Sequence, residues 1–304
     1  MRPRVVLADS LDAEAEARLH AKAEVFSAGG DAPALLELIA QADALIARTH
    51  TPVTRSLLEA GKRLRVVGVA GVGVDRVDLT AAAELGVTVL HTPGAASDAV
   101  AEFTVHLMLE LLRPLRALSA SYAAGRFHDA RREPHGAELR DCTVGIVGMG
   151  RIGSRVGRIL SGVGARIVYN DIAPVGPFDF AATPLEKRAL WTASDVVTLH
   201  VPLTPETRGL IDAQVLGQFK PGARLINTAR GAAVDTHALL TSLRTGALAG
   251  AALDVTDPEP LPPEHPLFTM PQCVLTPHVA ARTYGGLARM YAVVDDVLAF
   301  LGCA

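Results

Sequence analysis

Residues 143–153 read TVGIVGMGRIG, and this stretch decides the fold. An apolar run of strand length is followed by Gly-x-Gly-x-x-Gly and then by a helix-like segment. In such a turn Gly148 permits a tight bend, Gly150 lets a ligand approach the backbone, and Gly153 lets helix and strand pack closely. The helix N-terminus adds a partial positive charge. The motif therefore predicts a site for the pyrophosphate of a dinucleotide.

An acidic residue after the next predicted strand indicates which dinucleotide binds. Asp171 lies 18 residues after Gly153 (171 − 153), close to the ~20 expected for a carboxylate that binds a ribose 2′-hydroxyl. A carboxylate there repels the 2′-phosphate of NADP, and the next basic residue after Asp171 is Lys187. The sequence predicts NAD as the cofactor. The alternative is that Asp171 only caps a turn.

The rest of the chain alternates between short β-branched runs and Ala- and Leu-rich segments of helical length. The predicted strands are 4–7, 44–47, 64–69, 87–90, 143–147, 166–169, 195–199, 224–226, 249–253 and 273–275. Such alternation is typical of βαβ units around a parallel sheet, so the predicted fold class is α/β. Four strands precede the apolar segment 97–120, and the six that follow it would make a complete dinucleotide-binding sheet. Segment 97–120 itself is predicted to be a buried helix that connects two domains.

Two proline-containing stretches predict helix starts. Residues 183–186 read Thr-Pro-Leu-Glu, which has the form of a capping box with proline at the first helical position. Residues 204–206 read Thr-Pro-Glu and predict a similar start. Both signals agree with alternating strands and helices.

Composition excludes several other classes of protein. The chain has 304 residues, 49% hydrophobic and 20% charged, which fits about two globular domains of ~150 residues each. The net charge of −3 provides no basic surface for nucleic acid or an anionic membrane, and no apolar run approaches the ~18 residues of a membrane span. Three scattered cysteines without a CxxC pair indicate neither disulfides nor a metal site. We expect a soluble, cytoplasmic protein.

Charged side chains follow three predicted strands at positions where open α/β sheets bind ligands. They lie in the motifs NTARG at 227–231, DVTDPEP at 254–260 and TPHVA at 276–280. Together these motifs strongly resemble those of the D-isomer-specific 2-hydroxyacid dehydrogenase family. The resemblance extends from about residue 48 to about residue 283, through AGVGVD at 70–75, HTPG at 91–94, VAE at 100–102, HVPL at 200–203 and Thr207.

The resemblance implies a Rossmann-type NAD-binding domain inserted into a smaller, flavodoxin-like substrate domain. The NAD domain would span 98–281. The substrate domain would comprise 1–97 and 282–304, with the C-terminal helix returning to the first part. A homodimer is also implied, with segment 97–120 as the candidate interface. The alternative is that this segment packs only within its own chain.

The resemblance also implies three catalytic residues, and each suits the chemistry. Reduction of a 2-oxo acid delivers a hydride to the carbonyl carbon, so the oxygen must receive a proton, which His278 can supply near neutral pH. Glu259 would orient His278 and stabilise its charged form. Asp257, two positions earlier, is the alternative partner. Arg230 would bind the substrate carboxylate and polarise the oxo group through its planar guanidinium.

Further cofactor contacts are implied by the same resemblance. Asp254 matches the position that contacts the nicotinamide carboxamide, with helix capping as the alternative. His200 would border the nucleotide, or else be a histidine packed at a strand end. The other implied contacts are Arg151, Ile152, Pro202, Thr207, Thr228, Ala229, Arg230 and His278.

A second glycine-containing loop is expected to bind the substrate. Residues 71–74 resemble the family turn whose backbone N–H groups, here those of Val72 and Gly73, bind the substrate carboxylate. Arg48 resembles a substrate-contacting residue of some members, and the alternative is a surface ion pair. The implied substrates are small 2-oxo or 2-hydroxy acids such as glyoxylate, hydroxypyruvate or pyruvate. The resemblance disfavours a phosphorylated substrate, because members that handle phosphoglycerate often carry a basic residue near this loop, where residues 69–70 are Val-Ala. The alternative is that Arg48 or Arg76 binds a phosphate.

Two other functions fit part of the sequence. An NAD-sensing interaction protein could use the same fold without catalysing a reaction. A methyltransferase dependent on S-adenosylmethionine could account for the glycine turn and Asp171, but not for Arg230, Glu259 and His278. We expect an NAD-dependent oxidoreductase, which oxidation of NADH by a 2-oxo acid would distinguish from a sensing protein.

Overall fold

The computed structural model describes residues 2–132 and 134–303. The chain divides into two compact units. The terminal unit comprises the residues up to Ala96 together with those from Arg282 onward, and the central unit comprises Ser97–Ala281. The central unit thus begins one residue earlier than the sequence predicts.

Alternating strands and helices run through both units. The strands are β1 (Arg4–Leu7), β2 (Glu24–Ser27), β3 (Ala44–Arg48), β4 (Val66–Ala70), β5 (Thr88–His91), β6 (Thr143–Val147), β7 (Arg166–Asn170), β8 (Thr183–Pro184), β9 (Val196–Leu199), β10 (Ala223–Asn227), β11 (Leu248–Leu253) and β12 (Cys273–Leu275). The α-helices are α1 (Ala13–Lys22), α2 (Ala32–Ile39), α3 (Arg55–Ala60), α4 (Leu79–Glu84), α5 (Ser97–Leu112), α6 (Leu115–Ala123), α7 (Arg151–Gly162), α8 (Lys187–Ala193), α9 (Ala213–Leu216), α10 (Thr236–Thr245), α11 (Tyr284–Tyr291) and α12 (Val293–Phe300). Every predicted strand is present, with its ends displaced by at most two residues.

In the terminal unit, five parallel strands form one sheet in the order β2-β1-β3-β4-β5. This is the flavodoxin-like order, as predicted. Helix α12, from the C-terminal segment, packs closely on β4, since a Cβ on Gly68 would lie 2.5 Å from Val297. The predicted substrate-binding residues Arg48, Val72 and Gly73 lie at or just after the carboxyl ends of β3 and β4.

In the central unit, seven parallel strands form one sheet in the order β12-β11-β10-β9-β6-β7-β8. With β6 counted as the first strand, six of them follow the Rossmann order 3-2-1-4-5-6, and β12 extends the sheet by one strand. The Rossmann prediction is therefore confirmed. The strand order reverses between β6 and β9, and open α/β sheets bind ligands outside the carboxyl ends of such strands.

Two predicted helix starts are wrong. Thr183–Pro184 forms the short strand β8 beside β7, and the helix begins only at Lys187. Pairing with the sheet edge here overrides the local capping pattern. Residues 204–206 lie in a turn that the hydroxyl of Thr207 closes, and the next helix follows the N-cap residue Asp212.

The predicted single helix over 97–120 is also wrong, because α5 ends at Leu112 and Pro114 separates it from α6. Most apolar residues of α5 are buried within the chain, whereas α6 has no buried residue. The edge strand β2 was not predicted, because its residues, Glu24–Ser27, lack a long β-branched run. Among the described residues, no helix is both long and apolar enough to cross a membrane.

Candidate active site

The glycine loop joins β6 to α7, and its three glycines have different surroundings. Gly148 has a φ of +88°, and a Cβ there would lie 2.5 Å from the carbonyl oxygen of His200. A Cβ on Gly153 would lie 2.0 Å from the carbonyl oxygen of Gly148. A Cβ on Gly150 would meet nothing within 4 Å. The protein's own packing therefore requires the first and third glycines, whereas Gly150 keeps open the space that a ligand would fill.

Asp171 follows β7 and its carboxylate contacts the glycine loop. Its Oδ2 accepts a hydrogen bond from the N–H of Met149 at 2.7 Å, and its Oδ1 accepts one from the N–H of Ala173 at 3.0 Å. Asp171 thus caps its own turn and also lies beside the glycine loop. Each carboxylate oxygen retains a lone pair that can accept from a ribose hydroxyl. The neighbouring Ile172 is 99% exposed.

The loop after β9 borders the glycine loop. His200 Nε2 lies 3.0 Å from the hydroxyl of Thr198, while Nδ1 is buried without a hydrogen-bond partner among the described residues. Burial lowers the pKa of His200 to about 3, so the imidazole is neutral at physiological pH. The hydroxyl of Thr207 donates to the carbonyl of Pro202 at 2.6 Å and accepts from the N–H of Thr204 at 2.7 Å. Thr207 therefore closes its own loop.

Buried polar side chains hold the loop that carries Arg230 after β10. Asn227 is fully buried; its Nδ2 donates to the carbonyl of Arg230 at 2.8 Å and its Oδ1 accepts from the N–H of Ala229 at 3.0 Å. The Thr104 hydroxyl donates to a carbonyl of its own helix. A hydroxyl has one proton, so the Thr228 hydroxyl must donate to Thr104, at 2.9 Å. These bonds fix the backbone on both sides of Ala229.

The loops after β10 and β11 pack directly against each other. A Cβ on Gly231 would lie 1.9 Å from the carbonyl oxygen of Thr256, so only glycine fits next to Arg230. The loop after β11 continues to Glu259. This packing brings the Arg230 loop beside the loop of the candidate acid/base pair.

His278 and Glu259 form a hydrogen-bonded pair. Glu259 Oε1 lies 2.7 Å from His278 Nδ1, and the two side chains are 41% and 46% exposed respectively. An ionised carboxylate only accepts, so Nδ1 carries the proton and Nε2 is left for another partner. The structure thus places Glu259, and not Asp257, against His278.

Asp254 holds the loop that carries His278. The residue is 1% exposed. Its Oδ1 accepts from the Thr276 hydroxyl at 2.6 Å and from the N–H of Val279 at 2.9 Å, and its Oδ2 accepts from the N–H of Ala280 at 2.9 Å. The N–H of His278 donates to the Asp254 carbonyl at 2.9 Å. His278 has a φ of +53°, which non-glycine residues rarely adopt. The bonds to Asp254 therefore maintain an unfavourable backbone conformation at His278.

The predicted substrate-binding residues lie at the carboxyl ends of β3 and β4 in the terminal unit. Arg48 is the last residue of β3 and is partly exposed. The loop after β4 begins with Gly71, where a Cβ would lie 2.3 Å from Thr49. No described residue accepts a hydrogen bond from the N–H of Val72 or Gly73. Both N–H groups therefore remain available to an anion.

The predicted site residues of the central unit lie in the loops after parallel strands of one sheet, or in the first turn of helix α7, which follows such a loop. They therefore share one edge of that sheet. Three residues that position them were not predicted from the sequence: Thr104, Asn227 and Thr276. Asn227 and Thr276 are polar residues within the quoted motifs, a signal that could have identified them. Thr104 lies 124 positions from its partner Thr228, and only the fold brings the two together.

The model of the "D-isomer specific 2-hydroxyacid dehydrogenase, NAD binding domain" matches residues 105–280, more than half of the chain. The chain belongs to this family. It is accordingly an NAD-dependent oxidoreductase acting on the CH–OH group of 2-hydroxy acids. The family resemblance drawn from the sequence motifs is confirmed.

Relatives of this family match most of the chain. A glyoxylate reductase from Thermofilum pendens is 41% identical over 268 residues, covering 84% of this chain and 77% of that protein. A hydroxypyruvate reductase from Thermotoga maritima is 36% identical over 307 residues, covering 99% of both. The chain spans about half the length of the D-3-phosphoglycerate dehydrogenases that it also matches.

A solved structure extends the likeness to the whole fold. The NADPH-dependent glyoxylate/hydroxypyruvate reductase from Sinorhizobium meliloti, in complex with NADP and malonate, superposes with a TM-score of 0.89. It is 32% identical, and the match covers 99% of this chain and 94% of that one. A relative that binds NADP therefore shares this fold.

The residues beside the glycine loop fit the NAD that the family binds. Gly150 leaves open space at the N-terminus of α7, where no side chain caps the first turn. Asp171 supplies a carboxylate for a ribose, and the exposed side chain of Ile172 suits the apolar face of a purine base. The unpartnered Nδ1 of His200 is a further polar atom in this region. When bound, NADH supplies the hydride for reduction of the oxo acid.

Proposed function

We propose that this enzyme reduces small unphosphorylated 2-oxo acids, such as glyoxylate, hydroxypyruvate or pyruvate, with NADH. The observation that carries the proposal is the 2.7 Å hydrogen bond between His278 Nδ1 and Glu259 Oε1. It fixes the proton on Nδ1 and leaves Nε2 as the atom that exchanges a proton with the substrate oxygen. The names of the relatives from Thermofilum pendens and Thermotoga maritima support glyoxylate and hydroxypyruvate as substrates.

His278, Glu259 and Arg230 divide the chemistry in this proposal. As the carbonyl carbon accepts the hydride, its π electrons move to the oxygen, and His278 Nε2 gives that oxygen its proton. The imidazole becomes neutral, and the negative charge of Glu259 stabilises the protonated form that the next cycle needs. Arg230 pairs its guanidinium with the substrate carboxylate and polarises the oxo group. In the oxidation direction the same His278 nitrogen removes the proton.

In the terminal unit, we propose that the backbone N–H groups of Val72 and Gly73 bind the substrate carboxylate. Two adjacent N–H groups without internal partners form a small cradle for an anion. Arg48, at the end of β3, is proposed to add positive charge for the same group. In the central unit, the proposed cofactor contacts are Gly148, Gly150, Arg151, Ile152, Gly153, Asp171, His200, Pro202, Thr207, Thr228, Ala229, Arg230, Asp254 and His278.

A spectrophotometric assay tests the proposed reaction. Purified enzyme is mixed with NADH and a panel of 2-oxo acids that includes a phosphorylated member, and the loss of absorbance of NADH is followed. We expect turnover with one or more of the small acids and little with the phosphorylated one. Tight NADH binding without turnover of any acid would favour an NAD-sensing protein instead.

The proposed preference for NAD depends on Asp171. The Asp171 carboxylate is proposed to bind the ribose 2′-hydroxyl of NADH and to repel the 2′-phosphate of NADPH. Asp171→Ala should therefore raise the KM for NADH about tenfold or more and lower the KM for NADPH. Steady-state kinetics with both cofactors measure the ratio of the KM for NADPH to the KM for NADH. Asp179→Ala, which removes an exposed carboxylate from the same inter-strand segment, is the matched control. A ratio unchanged by Asp171→Ala would refute the assignment.

We also propose that the enzyme is a homodimer in the cytoplasm and that a second copy of the chain covers α6. Helix α6 has nine residues and none of them is buried, and isolated helices of that length are marginal in water. Its exposed apolar side chains include Leu115, 67% exposed, and Tyr122, 65% exposed.

The proposed cytoplasmic location agrees with the free state of the three cysteines, since thiols stay reduced in such a compartment.

Sedimentation of a charged variant tests this dimer. Leu115→Glu should raise the dimer dissociation constant at least tenfold, because a carboxylate would be buried in an apolar interface. Leu36→Glu, at a leucine of the terminal unit that is 50% exposed, is the matched control and should leave the sedimentation coefficient unchanged. A wild-type protein that sediments as a monomer at micromolar concentration would contradict the proposal.

A further inference from the structure

We infer that His91 is a positioning residue for the loop that binds the substrate carboxylate. The inference rests on the proposed function, because that loop, which follows β4, is its proposed carboxylate site. His91 is the last residue of β5, and its Nδ1 lies 2.9 Å from the carbonyl oxygen of Val72. The side chain therefore joins the end of one strand to the loop after its neighbour.

The acceptor fixes the direction of this hydrogen bond. A carbonyl oxygen only accepts, so Nδ1 of His91 must carry a proton. Both the neutral imidazole with its proton on Nδ1 and the imidazolium have that N–H. The bond to Val72 is therefore compatible with either charge state of His91.

The next residue along the chain makes a parallel pair of contacts. The backbone N–H of Thr92 donates to the carbonyl of Gly71 at 3.0 Å, and the Thr92 hydroxyl donates to the same oxygen at 3.2 Å. Two successive carbonyl groups of the loop, those of Gly71 and Val72, are thus held by two successive residues at the end of β5.

The geometry of the peptide bond, together with these contacts, determines the direction in which the N–H groups of Val72 and Gly73 point. In a planar trans peptide the C=O and the N–H point in opposite directions. The carbonyl of Gly71 shares its peptide unit with the N–H of Val72, and the carbonyl of Val72 shares its unit with the N–H of Gly73. Because both carbonyls are held toward the end of β5, both N–H groups point away from it. These are the two N–H groups that no described residue uses.

The side chain of His91 therefore keeps the anion cradle in its binding orientation before the substrate arrives. Without it, the peptide between Val72 and Gly73 could rotate, and part of the binding free energy would be spent in reorienting it. Such a loss affects the substrate and its transition state about equally. It therefore raises KM and leaves kcat nearly unchanged.

Three variants of the full-length enzyme test the inference. His91→Phe keeps a planar ring but has no donor. His91→Asn places an amide Nδ2 at the same number of bonds from the backbone as the imidazole Nδ1, so it restores the donor. Thr92→Val removes only one of the two bonds to Gly71. The same ring substitution at an exposed helical position, His20→Phe, is the matched control.

The readouts are KM and kcat for glyoxylate, the dissociation constant of oxalate in the presence of NADH, and the dissociation constant of NADH alone. We expect His91→Phe to raise KM and the oxalate dissociation constant about three- to tenfold with kcat and NADH binding unchanged. In His91→Asn, KM and the oxalate dissociation constant should both return most of the way to the wild-type values. Thr92→Val should raise KM less than His91→Phe does. His20→Phe should behave as wild type.

Failure of the inference and failure of the proposed function give different results. If wild type reduces none of glyoxylate, hydroxypyruvate and pyruvate and does not bind oxalate, the proposed function fails, and this inference fails with it. If wild type does both and His91→Phe has normal KM and oxalate binding, only the positioning role is overturned. It is also overturned if His91→Asn does not rescue, or if kcat and NADH affinity fall as much as the oxalate affinity does.

Discussion

Replacing His278 with asparagine is expected to lower kcat for oxo-acid reduction by about 10²- to 10⁴-fold, with a much smaller change in the NADH dissociation constant. Asparagine is chosen because it tolerates the φ of +53° at this position better than most other non-glycine residues do. Its amide can also still donate to Glu259 from the atom that replaces Nδ1. What it lacks is Nε2, so the variant isolates the loss of the proton donor. Stopped-flow and steady-state absorbance of NADH measure the effect.

The pH dependence supplies a second readout for His278. In the wild type, reduction needs the protonated imidazole and should decline toward alkaline pH, whereas oxidation needs the neutral base and should decline toward acidic pH. Both limbs should disappear in His278→Asn. His237→Asn, at an exposed histidine of α10, is the control and should retain both. A His278→Asn enzyme with wild-type kcat would remove this histidine from the mechanism.

Glu259→Gln distinguishes the two proposed roles of Glu259, which are to orient His278 and to stabilise its charged form. Glutamine can keep a hydrogen bond to His278 but lacks the charge that stabilises the imidazolium. We therefore expect kcat for reduction at neutral pH to fall, but by less than in His278→Asn. A variant with wild-type kcat would show that the charge of Glu259 is not used.

The sheets could be predicted from the sequence because their strands are buried on both faces. Parallel strands covered by helices appear as short apolar runs, and each such run, from Arg4–Leu7 to Cys273–Leu275, was found near its observed limits. Two of the four edge strands, β2 and β8, lack this signal. β2 has the sequence Glu-Val-Phe-Ser, with a polar residue at each end, and β8 has two residues that pair only with β7. Their existence depends on the neighbouring strand more than on their own sequence.

The site was predictable where a residue acts through its own side chain, and less so where it acts through another residue. Arg230, Glu259 and His278 stand in motifs whose chemistry can be argued from residue type. The residues that hold these three side chains in position could not be predicted in the same way. The carboxylate of Asp254 was expected to face the nicotinamide, yet the structure engages it with three donors of the His278 loop. Its predicted contact with the cofactor stays a prediction.

Replacing the carboxylate of Asp254 is expected to have the second largest effect, on both stability and kcat. Asp254→Asn keeps the shape of the side chain but has one acceptor oxygen where the native residue has two. One amide position must then put N–H₂ against a donor, either the N–H of Ala280 or the pair formed by Thr276 and Val279. A buried donor without an acceptor costs about 1–3 kcal/mol, and bonds to a charged acceptor are replaced by weaker ones. We therefore expect the free energy of unfolding to fall by about 3 kcal/mol.

Activity should fall as well, because the loss releases the loop that holds His278 in its left-handed conformation. A displacement of the imidazole by about 1 Å is enough to lower kcat about 10²-fold. Asp257→Asn, at an exposed aspartate three residues further along the same loop, is the matched control and should leave both kcat and stability unchanged. Thermal unfolding and steady-state kinetics of the two variants, compared below the unfolding transition, separate the effects. An Asp254→Asn enzyme that is destabilised but retains wild-type kcat would show that the loop holds His278 without this carboxylate, and that Asp254 contributes to folding alone.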